Sequence, residues 1–139
     1  MNPQFSIIVP TLDNFLHVQE LISSINSQTL LPREIIIADS SSSNEIEDGL
    51  KIIATTVPII YLRVGRAYVF DRFLKYFSSL SIFSGIFKTQ YSAGRAFPYE
   101  ATNAGAEVAS FEWLAFLDAS TIPTHTWLED YWSFRCSNQ

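Results

Sequence analysis

The sequence predicts an α/β protein with three layers, in which a mostly parallel sheet lies between helices. One observation is the continuous apolar run from Glu34 to Asp39, which shows no alternation of apolar and polar residues. Strands buried on both faces of a parallel sheet are composed in this way. A second observation is that helical segments alternate with such runs, which favours parallel strands joined by crossover helices. With 139 residues, the chain is predicted to form a single domain, residues 1–139, with one core.

Four segments are predicted as strands. Phe5 to Pro10 is a short β-branched run that ends in proline, and Glu34 to Asp39 follows as the second strand. Val57 to Leu62 is the third, and Phe111 to Asp118 is the fourth. Ligands of such sheets bind outside the carboxyl ends of the strands. The candidate ligand-binding segments are therefore Thr11 to Asn14, Asp39 to Ser43, and Asp118 to Thr121.

Three helices are predicted from periodicity and capping signals. A helix over Phe15 to Gln28 would place four apolar residues on one face, namely Val18, Leu21, Ile22 and Ile25. Ser42 and Glu45 have capping-box spacing for a second helix, which would bury Ile46, Leu50 and Ile53. Thr126 and Glu129 have the same spacing for a last helix that contains Trp132 and Phe134.

Asp39 and Asp118 each follow an apolar strand directly. An aspartate at a strand end either caps the following turn or contacts a ligand, and the residues alone leave both interpretations open.

The basic residues are concentrated in one segment, although the formal net charge of the chain is −5. Six of the nine lysines and arginines fall between residues 63 and 95, where Asp71 is the sole acid. This pattern indicates either a solvated helix face or a local anionic partner such as phosphate or lipid headgroups, and it does not favour nucleic acid.

Residues 64–93 form an insert with aromatic residues at helical spacing: Phe70, Phe73, Leu74 and Phe77. Three interpretations remain open for it: an extra helix on the core, a surface for self-association or another partner, and a helix at a membrane interface.

The chain is predicted to be cytoplasmic, with peripheral membrane contact through the insert as an option. Cys136 is the lone cysteine, which excludes an internal disulfide framework and fits a reducing compartment. No basic region precedes the first apolar run, so a secretory signal is not supported. The longest membrane-like run, Tyr76 to Phe87, is too short to span a bilayer.

Several blocks of the sequence, in order and spacing, resemble family 2 glycosyltransferases. These blocks are Ser6 to Thr11, Leu21 to Thr29, Glu34 to Ser40, and Gly94 to Thr121. The resemblance covers nearly the whole chain except about 64–93. It implies a Rossmann-like GT-A fold that binds a nucleotide-diphosphate sugar, of UDP or GDP type, for glycosyl transfer to an acceptor.

The resemblance also implies roles for individual residues. Thr11 and Asp13 would lie beside the nucleoside, and Asp39 would accept a hydrogen bond from the base. Arg95 would approach the diphosphate, where a guanidinium pairs with phosphate oxygens. Asp118 matches the first acid of the DXD motif, which in this family contacts the ribose and a divalent cation.

The sequence departs from the family pattern at Ser120, which replaces the last acid of the DXD motif. A hydroxyl can ligate Mg²⁺ but brings no negative charge. We therefore expect Asp118 and Ser120 to hold a divalent cation, Mg²⁺ or Mn²⁺, only weakly. The neighbouring basic residues could partly replace the cation.

No residue is assigned as the catalytic base, because the family carries that base in an acceptor-binding half beyond the DXD strand. His17 and His125 are interpreted as structural or solvent-facing. The leading hypothesis is a donor-binding half that is truncated or completed by another chain, and inactive alone. The alternatives are a catalytically dead binding or assembly module that uses the 64–93 insert, and an unrelated flavodoxin-like or receiver-like domain.

Overall fold

The computed structural model describes residues 3–65 and 96–137. Its elements, in chain order, are β1 (Phe5–Thr11), α1 (Phe15–Asn26), β2 (Glu34–Asp39), α2 (Glu45–Leu50), β3 (Ile59–Arg63), α3 (Pro98–Val108), β4 (Trp113–Phe116) and α4 (Trp127–Ser137). Arg95 and most of the predicted insert lie outside the described residues. The helix and the surfaces expected for the insert therefore stay predictions.

The four described strands form one sheet in the order β3-β2-β1-β4, and every neighbouring pair is parallel. Thr11 pairs with Asp39, and Asp39 pairs with Arg63, so three strands end at the same level. The turns that follow β1 and β2 therefore meet at one edge of the sheet. This confirms the predicted α/β fold class.

Helices cover both faces of the sheet. One face presents Phe5, Ile7, Val9, Ile35 and Ile37, all buried, to the apolar sides of α1, α2 and α4. The four residues predicted to face the core from α1 are completely buried, as the helical spacing requires. On the opposite face, α3 packs against the other side of β1 and β2. The three-layer prediction is thus confirmed.

A glycine sets the close approach of α3 to the sheet. A Cβ atom on Gly105 would lie 2.6 Å from Cγ2 of Ile8 and 3.6 Å from Cγ2 of Ile36. Real Cβ atoms do not approach other carbons so closely, and β-branched neighbours in a strand have little freedom to move. Gly105 therefore lets α3 lie directly on the strands whose ends carry the candidate site.

The strand ends differ from prediction where local hydrogen bonds interrupt the ladder. β3 begins at Ile59 instead of Val57, because Thr55 Oγ1 bonds to both the N–H and the carbonyl of Val57. β4 is limited to Trp113–Phe116, since the N–H of Phe111 donates to Ser6 Oγ and Asp118 enters a turn. α1 ends at Asn26, two residues before the predicted end.

Neither predicted capping box forms. The N-cap of α2 is Asn44, and its side-chain oxygen accepts from Arg63 instead of from the helix. At α4, Thr126 Oγ1 bonds to Asp130 and not to Glu129. A contact from β3 at α2, and a contact within the first turn of α4, thus take the place of the two predicted capping boxes.

Among the helices within residues 3–65 and 96–137, none is both long enough and apolar enough to cross a membrane.

Candidate functional site

A cavity of about 230 Å³ lies at the carboxyl ends of β1 and β2. Its wall combines the β1–α1 turn, the residue after β2, the start of α3 and the turn after β4. The polar residues that line it include Thr11, His17, Ser40, Asp118 and Ser120. Three of these, Thr11, Asp118 and Ser120, are site residues that the sequence predicted, and the parallel strand register brings them together.

Asp118 and Ser120 form a tight turn at the mouth of the cavity. Asp118 Oδ1 accepts a hydrogen bond from the N–H of Ser120 at 2.9 Å and from its hydroxyl at 2.6 Å. The hydroxyl of Ser120, together with its N–H, holds the pKa of Asp118 below the usual aspartate value. Asp118 is therefore an ionised carboxylate at neutral pH, and Ser120 is its hydrogen-bond partner.

Asp39 is fully buried, and both of its carboxylate oxygens accept hydrogen bonds from the protein. Oδ1 accepts from the N–H of Ser41 at 2.8 Å, and Oδ2 accepts from the hydroxyl of Tyr61 at 2.8 Å. Burial raises the pKa of Tyr61, and the bond to Asp39 raises it further. Asp39 thus holds the start of the β2–α2 turn, although it is not one of the residues that line the cavity.

Asp13 joins the two turns that meet at the site. Its backbone has a φ of 48°, a left-handed conformation that aspartate tolerates better than most residues. This conformation lets its N–H donate to Ser41 Oγ at 2.7 Å, while its Oδ1 accepts from the N–H of Ser42 at 3.3 Å. The structure therefore brings Asp13 close to the β2–α2 turn but not onto the cavity wall.

Arg63 is a structural determinant of the site that the sequence analysis counted only as part of a basic segment. Its guanidinium donates to the carbonyls of Ser41 and Ser43 at 3.0 and 2.8 Å and to Asn44 Oδ1 at 2.9 Å. A further ion pair links it to Glu47 at 3.4 Å. The available signal was its position at the end of β3, next to Asp39 in the sheet register.

Two hydroxyl groups in the cavity wall have no hydrogen-bond partner in the part of the chain that the structure describes. These are Thr11 Oγ1 and Ser40 Oγ, and both residues are only 6% exposed. A buried polar group without a partner costs about 1 to 3 kcal/mol, so such groups are rare unless something else binds them. Ser40 was not singled out from the sequence, although it directly follows Asp39.

His17, which the sequence interpretation treated as structural or solvent-facing, is half-buried and also lines the cavity. It is the third residue of α1, and its ring Nδ1 lies 2.9 Å from Nδ2 of Asn14. His125 is exposed, in agreement with the sequence interpretation.

The residues described do not make a resident divalent-cation site. No group of three histidine, cysteine, aspartate or glutamate side chains is arranged to hold a metal ion within residues 3–65 and 96–137. Asp118 offers one carboxylate, and the hydroxyl of Ser120 already donates its proton to it. Mg²⁺ takes six oxygen ligands and draws several of them from water and substrate phosphates, so Asp118 and Ser120 do not by themselves form a resident site for it.

Comparison with known proteins relates the fold to solved structures. The crystal structure of S. aureus TarS, a glycosyltransferase, matches 96% of this chain and 20% of its own, with a TM-score of 0.61 and 18% identity. The fold is glycosyltransferase-like. The crystal structure of S. aureus TarS 1-349 matches 96% of this chain and 32% of its own, with a TM-score of 0.62 and 18% identity.

This chain thus spans a third or less of the length of the glycosyltransferase chains that it matches. No protein-family model and no curated protein matches the sequence. At 18% identity the likeness shows the fold alone.

Proposed function

We propose that this chain is the donor-binding half of a family 2 glycosyltransferase with a GT-A fold, and that it binds a nucleotide-diphosphate sugar of UDP or GDP type. The observation that carries the proposal is the pair of buried, unpartnered hydroxyls of Thr11 and Ser40 in the wall of a cavity that also contains Asp118. A ligand with hydrogen-bonding groups would compensate for them, and rotation about χ1 would turn either hydroxyl toward it.

The cavity suits part of such a ligand. Its volume of about 230 Å³ lies just below the range of about 300 to 1,000 Å³ that is typical of small-molecule sites. It would therefore hold only part of the ligand, and Arg95, outside the described residues, would pair with the diphosphate.

The proposed contacts follow the layout of the turns. Thr11 and Ser40 would bind the nucleoside, with Asp13 holding their two turns together, and Asp118 would face the ribose. A carboxylate oxygen accepts two hydrogen bonds, so Asp39 would receive the base as a second donor beside Tyr61 after a small opening of the turn. In the absence of a ligand, Asp39 acts by positioning Ser40 and Ser41.

The reaction proposed for the whole enzyme releases a nucleoside diphosphate, on which negative charge develops as the glycosidic bond breaks. Hydrogen-bond donors and basic residues in the site would stabilise that charge. Transfer itself requires an acceptor and a base, which are not assigned to residues of this chain.

Isothermal titration calorimetry with UDP and GDP, each with and without Mn²⁺, tests the proposal. Native protein is expected to bind at least one of them. Thr11→Val and Ser40→Ala should weaken binding roughly 3- to 10-fold, the value of one neutral hydrogen bond. Neither variant should lose stability, because each removes a hydroxyl that has no partner in the ligand-free protein.

Ser110→Ala serves as the control, since the residue is exposed and lies at the opposite end of the sheet. A purely structural role for the two hydroxyls would lower stability and leave nucleotide binding unchanged. That result, or native protein that binds no nucleoside diphosphate, would show the proposal to be wrong.

A further inference from the structure

The orientation of the His17 ring is fixed by the N-cap of α1. The backbone N–H of His17 donates to Asn14 Oδ1 at 3.2 Å, which identifies the oxygen of the Asn14 amide. The amide nitrogen Nδ2 must then be the atom that lies 2.9 Å from His17 Nδ1. Rotating the amide by half a turn would place its N–H groups against the N–H of His17.

Because Asn14 Nδ2 can only donate, His17 Nδ1 must accept. The proton of the neutral imidazole is therefore on Nε2. In the described ranges no hydrogen bond engages Nε2, and the residue lines the cavity. The amide of Asn14 is used by the cap and the hydroxyl of Ser120 is used by Asp118, so His17 keeps a side-chain N–H available to a ligand.

The surroundings of His17 favour an anionic acceptor. His17 is in the first turn of α1, a helix of 12 residues with no acidic side chain in that turn. The amino end of a helix attracts negative charge because its dipole is positive there, and the Asn14 side chain pairs with only one of its N–H groups, that of His17. Asp118 in the same cavity wall would repel an anion, so an N–H donor beside it offsets part of that repulsion.

We propose that His17 donates a hydrogen bond from Nε2 to a phosphate oxygen of the bound nucleoside diphosphate. This contact rests on the proposed function and adds a ligand-binding residue to it. The donor is the neutral ring held in one tautomer by Asn14, so the contact needs no proton uptake on binding.

Calorimetry with UDP and uridine, and with GDP and guanosine, separates phosphate from nucleoside contacts. His17→Phe keeps a planar ring without a donor, and it should weaken diphosphate binding roughly 3- to 10-fold while nucleoside binding stays unchanged. His17→Gln supplies an N–H donor and should recover most of the loss. An equal loss for nucleoside and diphosphate, or no loss for either, overturns the proposal.

Nitrogen-15 NMR of the imidazole tests the tautomer without any ligand. Native protein at pH 8 should show the proton on Nε2. Asn14→Asp keeps an N-cap acceptor but faces Nδ1 with an oxygen, and it should move the proton to Nδ1. A native ring protonated on Nδ1 overturns the proposal regardless of binding. Native protein that binds neither UDP nor GDP overturns the proposed function as well, whereas normal binding by His17→Phe overturns this contact alone.

Discussion

Tyr61 donates its phenolic hydrogen to Oδ2 of the fully buried Asp39 at 2.8 Å. The bond connects the edge strand β3 to the carboxylate that ends β2, and Arg63, two residues further along β3, holds the turn that follows Asp39. The candidate site therefore depends on a strand whose own side chains do not line the cavity.

Tyr61→Phe should destabilise the protein by about 1 to 3 kcal/mol, because it leaves a buried carboxylate oxygen without its donor. Urea denaturation followed by circular dichroism measures the change. Tyr131→Phe is the matched control, since Tyr131 is 50% exposed and contacts Phe5 through its ring. Equal stability of the two variants would contradict a stabilising role for the bond to Asp39.

The hydrogen bond from Tyr61 to Asp39 also predicts how the stability of the protein changes at high pH. The pKa of Tyr61 is raised in the folded protein, so its contribution is complete below the ordinary tyrosine value of 10.0 and is lost as the pH rises toward the folded value. Above about pH 10 the unfolded chain releases this proton first, which favours unfolding. The fall in stability between pH 9 and 11 should therefore be smaller in Tyr61→Phe than in the native protein.

Arg63→Met should loosen the β2–α2 turn, since it removes donors to two backbone carbonyls while retaining an apolar stem. We expect a loss of about 1 kcal/mol and faster hydrogen exchange at the amides of residues 41–45. Lys51→Met is the control, because the Lys51 and Asp48 side chains are 64% and 67% exposed and such pairs contribute little. Unchanged exchange in Arg63→Met would exclude this supporting role.

Ser120→Ala should raise the pKa of Asp118 toward the ordinary value of 3.8, because the hydroxyl that stabilises the ionised carboxylate is removed. A lowered pKa contributes stability above the ordinary value and loses that contribution as the pH falls through the folded pKa. The native protein should therefore lose more stability between pH 5 and 2 than Ser120→Ala does. Carbon-13 NMR titration of Asp118 checks the shift directly, and an unchanged value would refute the assigned cause.

Ser120→Asp should restore metal dependence to nucleotide binding. A second carboxylate in the turn would supply the charge and oxygen ligands that divalent cations prefer. In calorimetry, Mn²⁺ should improve the UDP or GDP affinity of this variant by at least 10-fold and that of the native protein by much less. Ser120→Asn, which adds an oxygen ligand but no charge, is the control. Equal Mn²⁺ dependence in all three proteins would argue against a cation at this turn.

The sequence predicted much of the sheet because its evidence is local. The run Glu34 to Asp39 reads as a strand buried on both faces without knowledge of its neighbours, and the structure bounds β2 at the same residues. Turn and helix starts were predicted less well. The carbonyl of Ser43 and the side chain of Asn44 accept hydrogen bonds from Arg63, and the N–H of Ser42 donates to Asp13. Ser40 lies within the predicted ligand-binding segment Asp39 to Ser43, although it was given no role of its own, whereas nothing in the residues next to His17 marks it as a cavity residue.

The sequence by itself determined the α/β class, the carboxyl-end location of Thr11, Asp39 and Asp118, and the uncharged side chain at Ser120. These features follow from apolar runs, strand ends and residue identity, which can be recognised from consecutive residues without knowing what they contact. The tertiary structure alone decided that Asp39 is held by Tyr61, that the Thr11 and Ser40 hydroxyls are buried without described partners, and that His17 lines the same cavity as Asp118. Those facts depend on residues far apart in the chain that the parallel register brings to one edge of the sheet.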